Sequence, residues 1–249
     1  MFISFASLFT SSELPIFDIK AEVLFLLDAS DQTGRENFEK QKTFIKLLAR
    51  SLNVSPGKST AALIAYSTIA TINIPLGSYN TVQEFERNVD RTRFLGNSRK
   101  MYRALEEAAY LFQNATESDA ERKVILITGG RQTSDEDEEP LEKFKKLLLD
   151  VGALPFIVAI GKDHDNQTLR AVVEDPGDIF RVPTFIELSS SVSSTAARVA
   201  NRKGQSLPFL PFKAYISFFF WSRTYRVTCK RLRRNDRQYC LSGIFFFKS

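Results

Sequence analysis

The chain predicts an α/β fold: a doubly wound, mostly parallel six-stranded sheet with one antiparallel edge strand and helices on both faces. Three observations carry that prediction. Val23 to Leu27 and Lys123 to Ile127 are near-continuous apolar runs without polar alternation, the pattern of strands buried on both faces. Strand-like runs alternate with amphipathic stretches from about residue 21 to 203, the order that builds a parallel sheet. Two short strands, Thr60 to Tyr66 and Ile69 to Ile74, are separated only by Ser67-Thr68, so this pair must be an antiparallel hairpin.

The elements follow in order. A first strand over 21–28 ends in Asp28-Ala-Ser30-Asp31-Gln32. Glu36 to Leu52 repeats apolar residues at Phe38, Ile45, Leu48, Ala49 and Leu52, the spacing of an amphipathic helix. Ser55-Pro56-Gly57 breaks the chain before the hairpin, and Pro75 ends its second, edge strand. Thr81 to Val89 reads as a short helix, and Met101 to Phe112 as a longer one with Leu105, Ala108 and Ala109 on one face. The strand 123–127 comes next. Pro140 then opens a helix that Gly152 closes, the usual proline-first, glycine-last asymmetry. Leu154 to Ile160 is a strand, Gln167 to Glu174 a short helix and Asp178 to Val182 the last strand. Phe185 to Ala200 is expected as a closing helix. In open sheets of this kind ligands sit outside the carboxyl ends of the strands, which directs attention to Asp28 and Ser30.

At 249 residues the chain has room for one such domain, expected over 20–203, with residues to spare. Residues 1–19, apolar at the start, read as a leader or a disordered end. Residues 204–249 read as a basic, Phe-rich, poorly ordered tail. From 205 to 249 there are nine Lys/Arg against one acid, a net +8, whereas residues 1–204 carry 25 against 28, a net −3. The basic balance therefore belongs to the tail, and no nucleic-acid partner is expected for the main domain. Both cysteines, Cys229 and Cys240, lie in the tail, so no disulfide framework supports the core. No apolar run reaches the length that crosses a bilayer. The triplets beginning at Asn53, Asn114 and Asn166 are candidate glycosylation sites and favour an extracellular, secreted protein.

The run Phe25-Leu-Leu-Asp28-Ala-Ser30 resembles the von Willebrand factor type A domain of integrins, matrilins and collagens. Supporting matches follow in order: Ala61 to Ser67, Arg103-Ala104-Leu105, Lys123 to Arg131, and Pro155 to Gly161. The resemblance covers about residues 20–203 and implies a Rossmann-like fold with a metal-ion-dependent adhesion site on three loops. The first loop of that family carries Asp-x-Ser-x-Ser, the second a threonine, the third an aspartate. Here Asp28 and Ser30 match, and Gln32 replaces the second serine. Arg99 stands at the threonine position, Ser98 serving only if the loop slips by one residue, and Gly129 replaces the aspartate. The resemblance thus implies a degenerate, vestigial metal site at Asp28 and Ser30. Arg99 is expected to pair with Asp28 and fill the metal position with a guanidinium. The bland account of Asp28 and Ser30 is that they cap the following turn.

Enzyme chemistry finds no support. No Gly-x-Gly-x-x-Gly or Walker loop follows the first strand, and His164, the only histidine, has no nucleophile elbow to serve. The acidic run 135–139 lacks EF-hand spacing. The expectation is a non-enzymatic extracellular protein–protein interaction module of adhesion or matrix type. It would bind a matrix or cell-surface protein through the loops at the carboxyl edge of the sheet. The expected contacts are Gln32, Arg99, Gly129, Gly130 and Arg131, with no obligate cofactor. Two alternatives stay open: a metal-dependent adhesion domain with a weakened magnesium or calcium site, and an intracellular scaffold whose basic tail binds polyanions.

Overall fold

The computed structural model describes residues 14–116, 118–133 and 140–204. The expected acidic approach at 135–139, the residues before 14, and the tail from 205 with both cysteines lie outside the described residues.

Six strands form one sheet: β1 (Ala21–Asp28), β2 (Thr60–Tyr66), β3 (Ala70–Ile74), β4 (Glu121–Thr128), β5 (Ala153–Ile160) and β6 (Ile179–Val182). Their order is β3-β2-β1-β4-β5-β6. Every pairing is parallel except β2 with β3. Six α-helices flank it: α1 (Arg35–Ser51), α2 (Val82–Arg91), α3 (Met101–Asn114), α4 (Leu141–Asp150), α5 (Asn166–Val172) and α6 (Val192–Asn201).

The strand side chains alternate between two cores, so the apolar runs must be continuous. Val23, Phe25 and Leu27 face one way with α1 and α6. Leu24 and Leu26 face the other with α3, α4 and α5. β5 is buried over its whole length, where each fully buried Phe or Leu contributes about 2–3 kcal/mol.

Local signals set the helix ends. Thr81 caps α2 by accepting from Glu84 N, and Asp165 caps α5 through Gln167 N and Thr168 N; each cap is worth about 1 kcal/mol. After α4 the chain turns at Gly152, whose φ of 72° is a left-handed conformation that glycine adopts without penalty.

Most boundaries shift by one or two residues from the sequence expectation, and two of the differences have a clear local cause. The hairpin connection runs over Ser67, Thr68 and Ile69, with Ser67 N donating to Ile69 O, and β3 begins at Ala70. The closing helix begins later than Phe185. Pro183 to Glu187 is a turn, a 3-10 turn covers Leu188–Ser191, and α6 starts at Val192. Polar side chains explain the delay. Thr184 Oγ1 pairs with Glu187, while Ser190 Oγ and Ser191 Oγ donate to the Glu187 and Leu188 carbonyls. Such local bonds compete with a regular helical start. Phe185 is thereby left on a loop beside the ends of β1 and β4.

Residues 14–20 have no regular structure but are pinned. Phe17 N donates to Ser51 O, Lys58 and Asn53 both reach Asp18, and Leu14, Phe17 and Ile19 pack against the α1 core.

Candidate functional site

The strand order reverses direction between β1 and β4, and that switch point opens a crevice at the carboxyl ends of the strands. Asp28 ends β1 and Thr128 ends β4, with Gly129-Gly130 next in the chain. The crevice is therefore lined by the Ala29–Gly34 loop, the segment leading into α3 (Leu95–Lys100) and the loop after β4.

Asp28 lies at its floor, fully buried. Its Oδ1 accepts from Ser30 N at 3.1 Å and Ser30 Oγ at 2.6 Å. Its Oδ2 accepts from Arg99 Nε at 2.6 Å and Gly129 N at 3.2 Å. These four donors match the roughly four lone-pair sites of a carboxylate. The backbone of Asp28 is also fixed, because the buried Gln41 of α1 bonds both its N–H and its C=O.

Arg99 is 3% exposed and spends its guanidinium inward. Besides Nε to Asp28, Nη1 donates to Arg131 O at 3.1 Å and Nη2 to Thr33 Oγ1 at 3.1 Å. One cation thus joins all three loops. Its own backbone is held by Thr133, whose Oγ1 accepts from Arg99 N and whose N–H donates to Arg99 O. Beneath the pair, Tyr66 donates to Ile127 O at 2.8 Å. Burial, and next the charge on Asp28, hold its phenol well above the ordinary value.

Asp31 shapes the second loop. Its Oδ2 accepts from Asn97 N at 2.7 Å, and its carboxylate lies against Gly96, where an added Cβ would sit 3.0 Å from Oδ1. Gly96 is left-handed at φ 75°, so both its conformation and its clearance require glycine.

The third loop is closed by an aromatic ring. A Cβ added at Gly129 would lie 2.7 Å from Phe185 Cζ and 3.2 Å from Thr33 Oγ1. A side chain at 129 therefore has no room while Phe185 holds its place. At Gly130 the nearest atom to an added Cβ is Arg99 Nη1, at 2.8 Å. Both glycines allow close approach, one of a ring and the other of a guanidinium.

The residues singled out from sequence divide into two groups. Asp28, Ser30, Arg99 and Gly130 are buried and bond or pack among themselves, whereas Gln32 and Arg131 are exposed at the rim and Gly129 is half-buried. Gln32 Nε2 reaches Thr133 Oγ1 at 3.3 Å, and Arg131 pairs with Asp163 at 3.0 Å. An exposed pair of that kind contributes little stability. Ile186, 81% exposed, stands next to Phe185 on the same rim. Thr33, Asp31, Gln41 and Phe185 carry much of the geometry without having been singled out. Thr33 and Asp31 lie within the motif loop and were legible as its remaining polar members. Phe185 was hidden by the expected helix.

His164 Nε2 donates to Ile160 O at 2.9 Å, and burial lowers its pKa below the ordinary value. It serves no nucleophile among the described residues. Of the sequon asparagines, Asn114 and Asn166 are exposed, while Asn53 is half-buried with its amide on Asp18.

A hard divalent cation wants several oxygens, more than one of them charged, and an open coordination position. Here one carboxylate is saturated by donors and a guanidinium lies 2.6 Å from it. The second carboxylate position is a glycine backed by a phenyl ring. Among the described residues no group of three or more His, Cys, Asp or Glu is arranged to hold a metal. The donor set does not fit magnesium or calcium.

Comparison with known proteins agrees with this geometry at the level of fold. Residues 22–194 match the model of the von Willebrand factor type A domain. The collagen alpha-1(XXI) chain of Homo sapiens is 26% identical over 171 residues, 68% of this chain and 17% of that one. Cuticlin-6 of Caenorhabditis elegans is 26% identical over 174 residues, 70% of this chain and 30% of that one. The chain thus spans less than a third of the length of either relative. Among solved structures, proximal thread matrix protein 1 from the mussel byssus superposes with a TM-score of 0.66 at 19% identity, over 73% of this chain and 48% of that one.

Proposed function

The chain belongs to the von Willebrand factor type A family, its matched segment being most of the folded region, and from that premise we propose a non-enzymatic, extracellular protein-interaction module of matrix type. It engages a matrix or cell-surface protein through the loops at the carboxyl edge of the sheet and needs no metal to do so. One observation carries the metal-free part: the Arg99 guanidinium neutralises Asp28 at 2.6 Å in a site shut off from solvent. A metal would have to displace a bonded arginine and recruit a second carboxylate, and none of the described residues is arranged to supply one. The relatives, a collagen chain and a cuticlin, support the matrix setting and the extracellular location.

The contact surface is the rim. Arg99 organises it from beneath, tying three loops together, while Gln32, Arg131 and the projecting Ile186 meet the partner. An exposed aliphatic anchor ringed by polar groups is the composition that carries binding energy in such interfaces. N-glycans on Asn114 and Asn166 are compatible with this arrangement, both asparagines being exposed.

The test is adhesion of the full chain to a panel of purified matrix proteins, in EDTA and in magnesium. Equal adhesion in the two buffers, lost in Ile186→Asp and Arg131→Glu, is the expected result. Adhesion that requires magnesium overturns the metal-free reading, and adhesion indifferent to both substitutions overturns the placement at the rim.

A further inference from the structure

The layer formed by α1 and α2 has an unusual charge pattern. The domain up to residue 204 is net −3, yet residues 35–51 and 82–93 together hold eight Lys/Arg against five acids. All five acids are committed. Glu36 pairs with Lys40 at 2.7 Å, Glu39 with Lys42 at 3.0 Å, Glu86 with Arg50 at 2.5 Å and Asp90 with Lys46 at 2.7 Å. The fifth, Glu84, accepts from Asn80 N at 2.8 Å. Arg35, Arg87, Arg91 and Arg93 are left exposed, and none has a carboxylate partner among the described residues.

Their placement is ordered. Phe85 and Val89 fix the buried face of α2, and Arg50 and Lys46 draw Glu86 and Asp90 toward α1. Arg87 and Arg91, four residues apart, therefore share the outward face and lie about 6 Å apart. α2 follows the descending edge strand and so rises toward the carboxyl edge of the sheet. Arg93 continues the row just beyond the helix. Arg35 stands beside it at the start of α1, its guanidinium 4.9 Å from the centre of the Phe94 ring. The result is a stripe of uncompensated guanidinium groups running up the outer face of α2.

We infer that this stripe is a binding site for a sulfated polysaccharide. A row of guanidinium forks matches the bidentate geometry of sulfate and carboxylate groups repeated along a linear chain. A protein partner would need an apolar anchor. Among the described residues the exposed large apolar side chains, Ile16, Ile69, Tyr110 and Ile186, all lie off the stripe. A single-stranded nucleic acid would need aromatic faces for its bases, and Phe94, the ring in this stripe, is covered by Arg35. Strong charge with neither anchor nor stacking platform selects a polysaccharide. The stripe runs along α2 and adjoins the loops only at Arg35 and Phe94, and its test reads a salt slope rather than adhesion, so it stands or falls independently of the function proposed above.

The experiment measures binding of the full chain to a size-defined heparin oligosaccharide as a function of salt, beside a variant carrying Arg87→Gln, Arg91→Gln and Arg93→Gln. The basic tail is common to both proteins, so only the difference between them counts. Three fewer neutralised sulfates should lower the slope of log affinity against log salt by about 2, with an unchanged melting temperature because the three side chains are exposed and unpaired. Equal slopes show that the stripe is not engaged and overturn the inference. Polyglutamate of matched charge is the second probe: if the substitutions weaken its binding as much as that of heparin, the surface reads acidic chains in general and the sulfate assignment fails.

Discussion

Replacing Arg99 by alanine tests the joint between the three loops. The substitution strands a carboxylate that is fully buried and removes three donations, to Asp28, Arg131 O and Thr33 Oγ1. Breaking a buried ion pair from one side costs about 3–5 kcal/mol, and each of the other two hydrogen bonds adds about 1 kcal/mol. Urea unfolding of the full chain should therefore show a loss of about 5 kcal/mol, a large share of the roughly 5–15 kcal/mol a domain commands. In heat the same loss lowers the melting temperature by about 10–20 °C. Asp28→Asn combined with Arg99→Met removes both charges at similar volume. Its loss should fall short of the sum of the single losses by about 2–3 kcal/mol, the coupling of a contacting pair. A loss below about 1 kcal/mol for Arg99→Ala, or a cycle that is additive, refutes the reasoning, because Asp28 would then be neutralised by something other than Arg99.

Two further outcomes follow from the geometry. Gly129→Ala places a methyl group 2.7 Å from the Phe185 ring and should cost about 1–3 kcal/mol in urea unfolding, as overpacking does; the cost should shrink in a Phe185→Ala background, and an equal cost in both would show that the ring is not the obstacle. His164 is pushed below its ordinary value mainly by burial, with the charge of Arg99 acting in the same direction. The unfolded chain then binds the proton more readily, so stability falls as the pH drops below about 6.5 toward the folded value. The single imidazole should titrate below about 6.5 by proton NMR, and His164→Gln should flatten that part of the stability curve; a midpoint at or above the ordinary value contradicts the burial argument.

The architecture was legible because its signals are long and redundant. Leu24 and Phe25 are both apolar only if both faces of β1 are covered, and they are. The Asp28–Arg99 contact was legible for a different reason: the family's spacing sets residue 99 opposite residue 28, and a cation opposite a buried carboxylate has one economical arrangement. Phe185 was not legible. Its apolar neighbours fit a helical period, and the competing signal, a Thr and several Ser whose hydroxyls bond local carbonyls, acts over too few residues to register in a periodicity. The consequence was functional, since Phe185 fills the space beside Gly129 that a third-loop side chain would need. The arginine stripe was equally hidden. Composition gave a domain slightly acidic overall, and only the four ion pairs of α1 and α2, with Glu84 held by a backbone N–H, reveal which cations are left over.

The Arg99 guanidinium stands at the position where the family's metal-dependent adhesion site holds a cation from solution. Isothermal titration of the full chain with magnesium and then manganese tests it most directly. No saturable heat is expected at micromolar to low millimolar ion concentrations. Saturable micromolar binding, abolished by Asp28→Ala, would contradict it.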